Sequence, residues 1–168
     1  MALPPAGSAQ STFIVPTLDE ALAFPRTLEA TVEPRFIDAM GHMNVAWYVH
    51  LFDGGTWGFF EQMGIDPEYR RRAHAGMFAV EHHIRYLSEL REGEPLAVHA
   101  QLAALGPRSL RLRLAMIDTS RHKLSAAAEV VGVHIDLGTR RSAPFPDEIA
   151  ARLRAALAPQ APGTQDGD

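Results

Sequence analysis

The sequence contains no cysteine among its 168 residues. Without cysteine, the chain has no disulfide framework, no thiolate metal ligand and no cysteine nucleophile. The GxGxxG and GxxxxGK(S/T) nucleotide loops are also absent, as are the HExxH motif and the GxSxG turn of α/β-hydrolases. The eight histidines show no recognised ligand spacing. We therefore expect neither a bound metal nor a cofactor, and we do not expect an α/β-hydrolase.

Long apolar runs and an excess of basic charge are missing as well. No stretch approaches the roughly 20 apolar residues that a membrane span requires. The N-terminus lacks the basic start and the apolar run of a signal peptide. Net charge is −4 with both signs interspersed, so there is no electrostatic footprint for nucleic acid. These features predict a soluble cytoplasmic protein with neither a membrane nor a nucleic-acid partner.

What is present supports one folded domain, because 46% of the residues are hydrophobic. Residues 1–25 read as an N-terminal extension that is partly disordered, since its start is rich in proline, alanine, glycine and serine. We predict the domain itself over residues 26–158. The polar residues 159–168 are predicted to form a disordered tail.

The hydrophobic periodicity predicts an α+β fold. A first strand follows Thr27, and an amphipathic, mostly apolar helix runs from about Asn44 to Met63. The period then changes to two, which predicts four further strands in an antiparallel meander. Within the first of these strands, Phe78, Val80, Ile84 and Tyr86 are expected on one face. Pro146 opens a short terminal helix, and the economical packing is one antiparallel sheet wrapped around the long helix.

Three glycines in the long helix need compensation, because each costs about 1 kcal/mol relative to alanine in a helix interior. Gly54, Gly55 and Gly58 would allow close approach of a sheet or a second helix. The alternative is a helix that breaks at Gly54-Gly55.

The stretch between the first strand and the long helix is the strongest candidate for chemistry. Asp38 ends the extended segment, Gly41 permits a sharp bend, and Asn44 stands at the helix start as an N-cap. The first amides of a helix are unsatisfied donors with partial positive charge, so an oxyanion could lie there beside the carboxylate. The alternative is that Asp38 serves only as a turn or capping residue.

The neighbouring polar residues have two interpretations each. His42 is a candidate general base or only a hydrogen-bonding residue of the turn, and Asn44 is an N-cap only or also a donor to substrate. Glu81 is expected at the surface or in a subunit contact. Glu129, in an otherwise apolar strand, is a paired or functional carboxylate unless a bulge turns it outward.

The pattern Asp38-x-x-Gly41-His42-Met43-Asn44-x-x-x-Tyr48 resembles the strand-to-helix signature of hotdog-fold thioesterases of the 4-hydroxybenzoyl-CoA and acyl-ACP type. The runs Ile84-Arg85-Tyr86-Leu87 and Arg91-Glu92-Gly93-Glu94-Pro95-Leu96 resemble the second strand and turn of that family. The segments 78–87 and 133–136 are most similar to betainyl-CoA thioesterases of carnitine breakdown. The likeness covers roughly residues 26 to 157.

The resemblance implies a hotdog fold, a site at a dimer interface and metal-free hydrolysis of an acyl-CoA or acyl carrier protein thioester. It places Asp38 at the position of the catalytic carboxylate, as base or nucleophile, with His42 and Asn44 beside it. Gly41, Met43, Trp47 and Tyr48 are the expected substrate-binding residues. The chain departs from one branch of the family, which has a histidine where Val45 and Ala46 stand. The assembly expected is a dimer or tetramer.

Three aromatic residues, Trp47, Tyr48 and Trp57, could surround a quaternary ammonium group or belong to the core. Two other functions stay open beside hydrolysis. One is a hotdog module that binds an acyl thioester without cleaving it, as a sensor or scaffold. The other is a hotdog hydratase, which would need an Asp and a His at a different spacing.

Overall fold

The computed structural model describes residues 13–157. Four helices and six strands are present in this part of the chain, together with a single 3-10 turn at Pro34–Phe36. The helices are α1 (Leu18–Ala23), α2 (Val45–Gln62), α3 (Pro67–Ala73) and α4 (Asp147–Ala156). The strands are β1 (Arg26–Thr31), β2 (Ala75–Tyr86), β3 (Pro95–Leu105), β4 (Ser109–Asp118), β5 (Lys123–Asp136) and β6 (Arg141–Ser142).

The sheet is antiparallel and its strand order is β1-β3-β4-β5-β2, with β6 paired to β5. Strands β3, β4 and β5 form the predicted meander, but β2 does not lie beside β3. It pairs with β5 along its whole length, so the prediction of a four-strand meander was wrong. The loop after β2 crosses from one side of the sheet to the other, which leaves β2 as a long edge strand.

Helix α2 packs across the inner face of the sheet and is one continuous helix of 18 residues, so it does not break at Gly54-Gly55. Its buried aromatic residues meet inward side chains of β3, β4 and β5, such as Val98, Leu114 and Val130. A Cβ on Gly58 would overlap the carbonyl oxygen of Thr27, and one on Gly55 would overlap the side chain of Val98. These glycines therefore allow the helix to touch β1 and β3.

Strand β2 contains a bulge that changes which side chains share a face. Ala79 pairs with Gly132 and Glu81 pairs with Val131, which leaves Val80 as the extra residue. Met77 before the bulge and Ile84 after it therefore both contact the core. Phe78 lies on the opposite face of the strand from Ile84, so the prediction that they share one face was wrong. The alternation of side chains between the two faces holds only where no extra residue is inserted.

The N-terminal segment covers part of the outer face of the sheet. Helix α1 is opened by a capping box between Thr17 and Glu20. Its Ala21 is fully buried against Ala115 and Ile117, whose side chains point away from α2. Residues 1–12 and 158–168, on which most of the predicted disorder fell, lie outside the described residues. The domain boundary at residue 26 stays a prediction.

The terminal helix closes the far end of the core. Pro146 is its N-cap and not its first helical residue, so the helix begins one residue later than predicted, at Asp147. The aligned Ile149 and Leu153 are buried. On the neighbouring α3, the Tyr69 hydroxyl lies 2.7 Å from His134 Nε2, and His134 Nδ1 lies 2.9 Å from the Ala143 carbonyl oxygen. Within residues 13–157, no helix combines the length and apolar character needed to cross a bilayer.

Candidate active site

A tight turn separates the 3-10 segment from α2 and carries the predicted chemistry. Asp38 N donates to the His42 carbonyl at 3.1 Å, and Gly41 N donates to the Asp38 carbonyl at 3.0 Å. Ile37 and Met43 form an antiparallel bridge at the base of the turn. Gly41 has a φ of +80°, a conformation that side chains disfavour. The chain therefore makes a sharp bend at Gly41, as predicted from the sequence.

The Asp38 carboxylate is half-buried and held by two donors. Oδ1 accepts from Met40 N at 2.8 Å, which is a turn-type bond, and Oδ2 accepts from Asn44 Nδ2 at 3.3 Å. The second bond ties the carboxylate to Asn44, the N-cap residue of α2. Asp38 therefore has a fixed orientation at the helix start instead of a free position in solvent.

Asn44 has two structural functions at once. Its Oδ1 accepts from Ala46 N at 3.0 Å, which confirms the predicted N-cap. Its backbone carbonyl accepts from Trp47 N, also at 3.0 Å. Two first-turn amides are thus already engaged, so the row of open donors expected from the sequence is shorter in the structure. Val45 N, at the first helical position, donates to neither of these two Asn44 oxygens.

Neither His42 nor Met43 is hydrogen-bonded to the Asp38 carboxylate through its side chain in the described chain. His42 Nδ1 lies 3.3 Å from the carbonyl oxygen of Met43, and no hydrogen bond joins its ring to Asp38 within the described chain. The Met43 side chain is 1% exposed and belongs to the core, while its N–H donates to the Leu90 carbonyl at 2.7 Å. Their predicted roles in catalysis and in substrate binding stay predictions.

The aromatic residues of the first helical turn have separate surroundings. Trp47 stacks on Phe36 with ring centroids 4.1 Å apart, and the Arg35 guanidinium lies 5.3 Å from the Trp47 ring. Tyr48 is buried, packs edge-on against Tyr86 at 5.1 Å and donates its hydroxyl to the Ser88 carbonyl at 3.4 Å. Burial raises the pKa of Tyr48, so this phenol stays protonated at neutral pH.

Residues 87–94, called the site loop here, support the turn from the other side. The loop supplies the Leu90 and Ser88 carbonyls that accept from Met43 and Tyr48. It is anchored in turn by Arg121, at the β4–β5 hairpin. Arg121 Nη2 donates to the Glu89 carbonyl at 3.1 Å and to Glu94 Oε2 at 2.6 Å. The geometry of the turn thus depends on a hairpin far away in sequence.

Asp118 fixes the position of Arg121. The fully buried carboxylate accepts from Arg121 Nε at 2.5 Å, and from the Ser120 and Arg121 amides at 2.9 Å each. Burial acts to raise the pKa of Asp118. The hydrogen bonds from Ser120 and Arg121 and the charge of Arg121 outweigh this effect and lower the pKa below its ordinary value. The anchor is therefore ionised at neutral pH.

A separate cleft lies between the second half of α2 and the start of β2, with an empty volume of about 260 Å³ including adjoining solvent. Its lining is mostly apolar and contains one ionisable residue, Asp53. The other lining residues are Thr56, Trp57, Phe60, Met77, Ala79, Val130 and Gly132. Sequence reasoning missed Asp53, although its spacing of four from Trp57 places both on one side of the helix.

The two carboxylates on later strands both have partners on the outer face. Glu129 is nearly buried, and Arg111 Nε lies 3.6 Å from its Oε1. Exposed Glu81 lies 3.0 Å from His83 Nε2. Glu129 is thus a paired carboxylate within a regular stretch of β5. Among residues 13–157, no group of three or more His, Cys, Asp or Glu is arranged to hold a metal ion.

An antiparallel sheet wrapped around one long helix is the architecture of the hotdog fold. Residues 32–153 match the family model of the thioesterase-like superfamily, and the chain belongs to that superfamily.

Three relatives illustrate the match. A betainyl-CoA thioesterase from Pseudomonas aeruginosa is 30% identical over 129 residues, which cover 77% of this chain and 81% of the relative. A Staphylococcus aureus protein solved in complex with CoA has 25% identity and a TM-score of 0.75, covering 82% of this chain and 89% of its own. A 1,4-dihydroxy-2-naphthoyl-CoA thioesterase from Synechocystis shares the fold at 15% identity and a TM-score of 0.67, covering 76% and 93%.

Proposed function

We propose that this thioesterase hydrolyses an acyl-CoA, with Asp38 as general base or nucleophile. The observation that carries the proposal is the Asp38 carboxylate, oriented by Met40 N and Asn44 Nδ2 at the start of α2. The CoA-bound Staphylococcus aureus relative and the betainyl-CoA thioesterase support CoA as the carrier.

The chemistry needs few groups. Asp38 either removes a proton from water as it attacks the carbonyl carbon or attacks that carbon itself. The carbonyl oxygen becomes an oxyanion, for which Val45 N at the positive end of α2 is the proposed donor. The carbon–sulfur bond then breaks, which gives the free acid directly when water attacks. When Asp38 attacks, it gives an anhydride between Asp38 and the acyl group, and water hydrolyses this anhydride to the free acid and the Asp38 carboxylate. Because a thiol has a pKa near 8.5, the CoA thiolate leaves without a strong general acid.

The direct test is thiol release from acyl-CoAs by the Asp38→Asn variant. We expect the variant to fold normally and to lose activity by about 10³-fold, since it loses the only carboxylate of the turn. Glu61→Gln, which removes an exposed charge near the other end of α2, is the matched control and should retain full activity. Unchanged turnover by Asp38→Asn would remove Asp38 from the mechanism. Saturable acyl-CoA binding by the wild type without thiol release would identify a binding module instead.

The assembly we propose is a twofold dimer joined along β2. This 12-residue strand is at the sheet edge, and a long edge is a template for pairing with another chain. Beside it lie exposed large hydrophobic residues of β2, of the loop that follows it and of α2. They are Val80, Tyr86, Leu87, Val45 and Val49. A second copy would cover these side chains and pair the free edge.

The assembly is tested by light scattering coupled to size exclusion. We expect the wild type to have twice the mass of one chain at micromolar concentration. A Val80→Lys, Leu87→Lys variant should shift to the monomer mass, because charges on an edge strand oppose pairing. A wild type that is monomeric at that concentration would contradict the dimer.

A further inference from the structure

A hydrogen bond from the site loop holds the Asp38 turn beside the residue that orients its carboxylate. Met43 N donates to the Leu90 carbonyl at 2.7 Å, and the next residue, Asn44, donates to Asp38 Oδ2. Leu90 is fully buried, so its backbone is held within the core. The position of Leu90 therefore helps to set where Met43 and Asn44 lie, and with them the direction of the carboxylate.

The guanidinium of Arg121 joins two points of the site loop, one on each side of Leu90. Its Nη2 donates to the Glu89 carbonyl at 3.1 Å and to Glu94 Oε2 at 2.6 Å. The same Glu94 oxygen accepts from Arg91 N at 2.8 Å, which closes the turn between the two contacts. The segment that carries the Leu90 carbonyl is thus fixed by one side chain from the β4–β5 hairpin.

Asp118 holds this guanidinium from the other side. The carboxylate is fully buried, and Arg121 Nε donates to its Oδ2 at 2.5 Å. This hydrogen bond is the largest of the effects that raise the pKa of Arg121, so the side chain stays charged. Arginine can make these contacts together because its nitrogens lie in one rigid plane, whereas the lysine ammonium is a single point.

We infer that Arg121 is a positioning residue for the proposed hydrolysis, because it holds the site loop so that the Asp38 carboxylate keeps its orientation. The inference rests on the proposed function of Asp38. Arg121 acts through Glu89, Leu90 and Met43 and needs no contact with the substrate. A shift of about 1 Å in a reacting group can slow the chemical step by about 10²-fold, so a loosened loop lowers kcat and leaves binding almost unchanged.

Substitutions at Arg121 should therefore lower kcat with little effect on KM. Thiol release is measured with butyryl-, benzoyl- and betainyl-CoA, on variants shown by circular dichroism to be folded. In Arg121→Gln, we expect kcat to fall about 30-fold and KM to stay within about threefold of the wild type. Arg121→Lys keeps the charge but loses the planar fork, and its kcat should fall about tenfold. Wild-type kcat in Arg121→Lys, or a raised KM with unchanged kcat in Arg121→Gln, would overturn the inference.

Arg91→Gln is the matched control within the same loop. The Arg91 side chain pairs with Glu89 at the surface, where the two side chains are 65% and 45% exposed, and its backbone bond to Glu94 survives the change. Its kcat should stay within about twofold of the wild type. A loss as large as that of Arg121→Gln would indicate a general effect of loop charge and would overturn the inference.

Glu94→Gln provides a second route to the same answer if Arg121→Gln does not fold. It leaves the pair of Asp118 and Arg121 intact and weakens the attachment of the loop, so kcat should fall about fivefold. Wild-type kcat in Glu94→Gln would show that the guanidinium does not act through the loop.

A double variant separates positioning from a general loss of structure. In the Asp38→Asn background, Arg121→Gln should cause no further fall in the residual turnover, because no carboxylate remains to be oriented. A further fall of about 30-fold would show that Arg121 supports the fold as a whole and would overturn the inference.

Hydrogen exchange tests the link to the turn without any substrate. The Met43 amide should exchange about tenfold faster in Arg121→Gln than in the wild type, whereas the amide of Leu153, within α4, should be unchanged. Unchanged exchange at Met43 would overturn the inference even if Asp38 hydrolyses the thioester. Faster exchange together with full activity of Asp38→Asn would refute the proposed function, and the positioning role with it, while the contact between Arg121 and the turn would stand.

Discussion

The two halves of α2 are held in place by different kinds of interaction. The first half is fixed by hydrogen bonds to Asp38, to the site loop and, through that loop, to Arg121. The second half is fixed by close packing, because Gly55 and Gly58 bring the helix into contact with Val98 and Thr27. Packing tolerates changes of charge but not of volume, whereas a hydrogen-bonded turn responds to pH and to the loss of a single donor. The proposed chemistry lies at the hydrogen-bonded turn at the start of α2.

The largest effect is expected at Gly58. Gly58→Ala places a Cβ against the Thr27 carbonyl oxygen and should lower the free energy of unfolding by about 3 kcal/mol. Gly54→Ala is the matched control, since its Cβ would meet Leu28 at 3.5 Å, an ordinary contact. This control should raise stability by about 0.5 kcal/mol through helix propensity. The free energies of unfolding of both variants are measured in urea. Equal changes would show that close packing does not position the second half of α2.

Asp118 tests the hydrogen-bonded half. Asp118→Asn should cost about 2 kcal/mol at pH 7, because a buried carboxylate loses its charge-assisted bonds to Ser120 and Arg121. The folded pKa lies below the ordinary value of 3.8, so the ionised carboxylate stabilises the fold above pH 3.8. That contribution is lost as the pH falls through the lowered folded pKa. In urea unfolding at several pH values, the free energy of unfolding should fall less steeply below pH 3.8 for the variant than for the wild type. Parallel curves would contradict the anchor.

Asn44 allows the cap to be separated from the chemistry. Asn44→Ala loses both hydrogen bonds and should destabilise the protein by about 1 kcal/mol. Asn44→Asp retains a capping oxygen, so its stability should be close to that of the wild type. It replaces the donor to Asp38 with a second carboxylate, and acyl-CoA thiol release should fall about tenfold. If Asn44→Asp turns over at the wild-type rate, Asn44 is a cap only.

The smallest effect is expected at His42. Its ring lies against the carbonyl of the next residue and makes no hydrogen bond to Asp38 in the described chain. His42→Gln should therefore change kcat/KM by less than about threefold and leave the pH–rate profile unaltered. A loss of about 10²-fold, together with removal of one limb of that profile, would instead identify His42 as the general base.

Local patterns predicted the first half of α2 well. The Asn44 cap, the bend at Gly41 and the Asp38 carboxylate beside the helix start all depend on residues within seven positions of one another. Such features are encoded by side-chain chemistry close to the backbone they shape. The apolar central helix and the terminal helix were predicted for a similar reason, from periodicity within single elements. The hotdog fold itself was expected from the family resemblance of the Asp38-to-Tyr48 pattern.

Features that depend on distant partners were not predictable in the same way. The extra residue Val80 interrupts the alternation of β2 only because its neighbours pair with Gly132 and Val131. The position of β2 beside β5 depends on the crossing of the site loop. Arg121 was not singled out, because its contacts with Glu94 and with the carbonyl of Glu89 are 27 and 32 residues away in sequence. The cleft beside Asp53 likewise forms only where α2 meets β2 and β5, whose lining residues are far apart in sequence.

Helix α1 has a consequence for how larger assemblies can form. It occupies the outer face of the sheet with Ala21 against Ala115 and Ile117, and the His99 ring lies 2.8 Å from the carbonyl of Phe24 just after it. Two dimers that stacked sheet against sheet would meet this helix before they met the strands. Any tetramer built back to back must therefore use the surface of α1 itself, and deleting residues 13–24 would expose a new apolar area to the solvent. Residues 13–24 thus bury apolar side chains of the outer sheet face that would otherwise favour non-specific association.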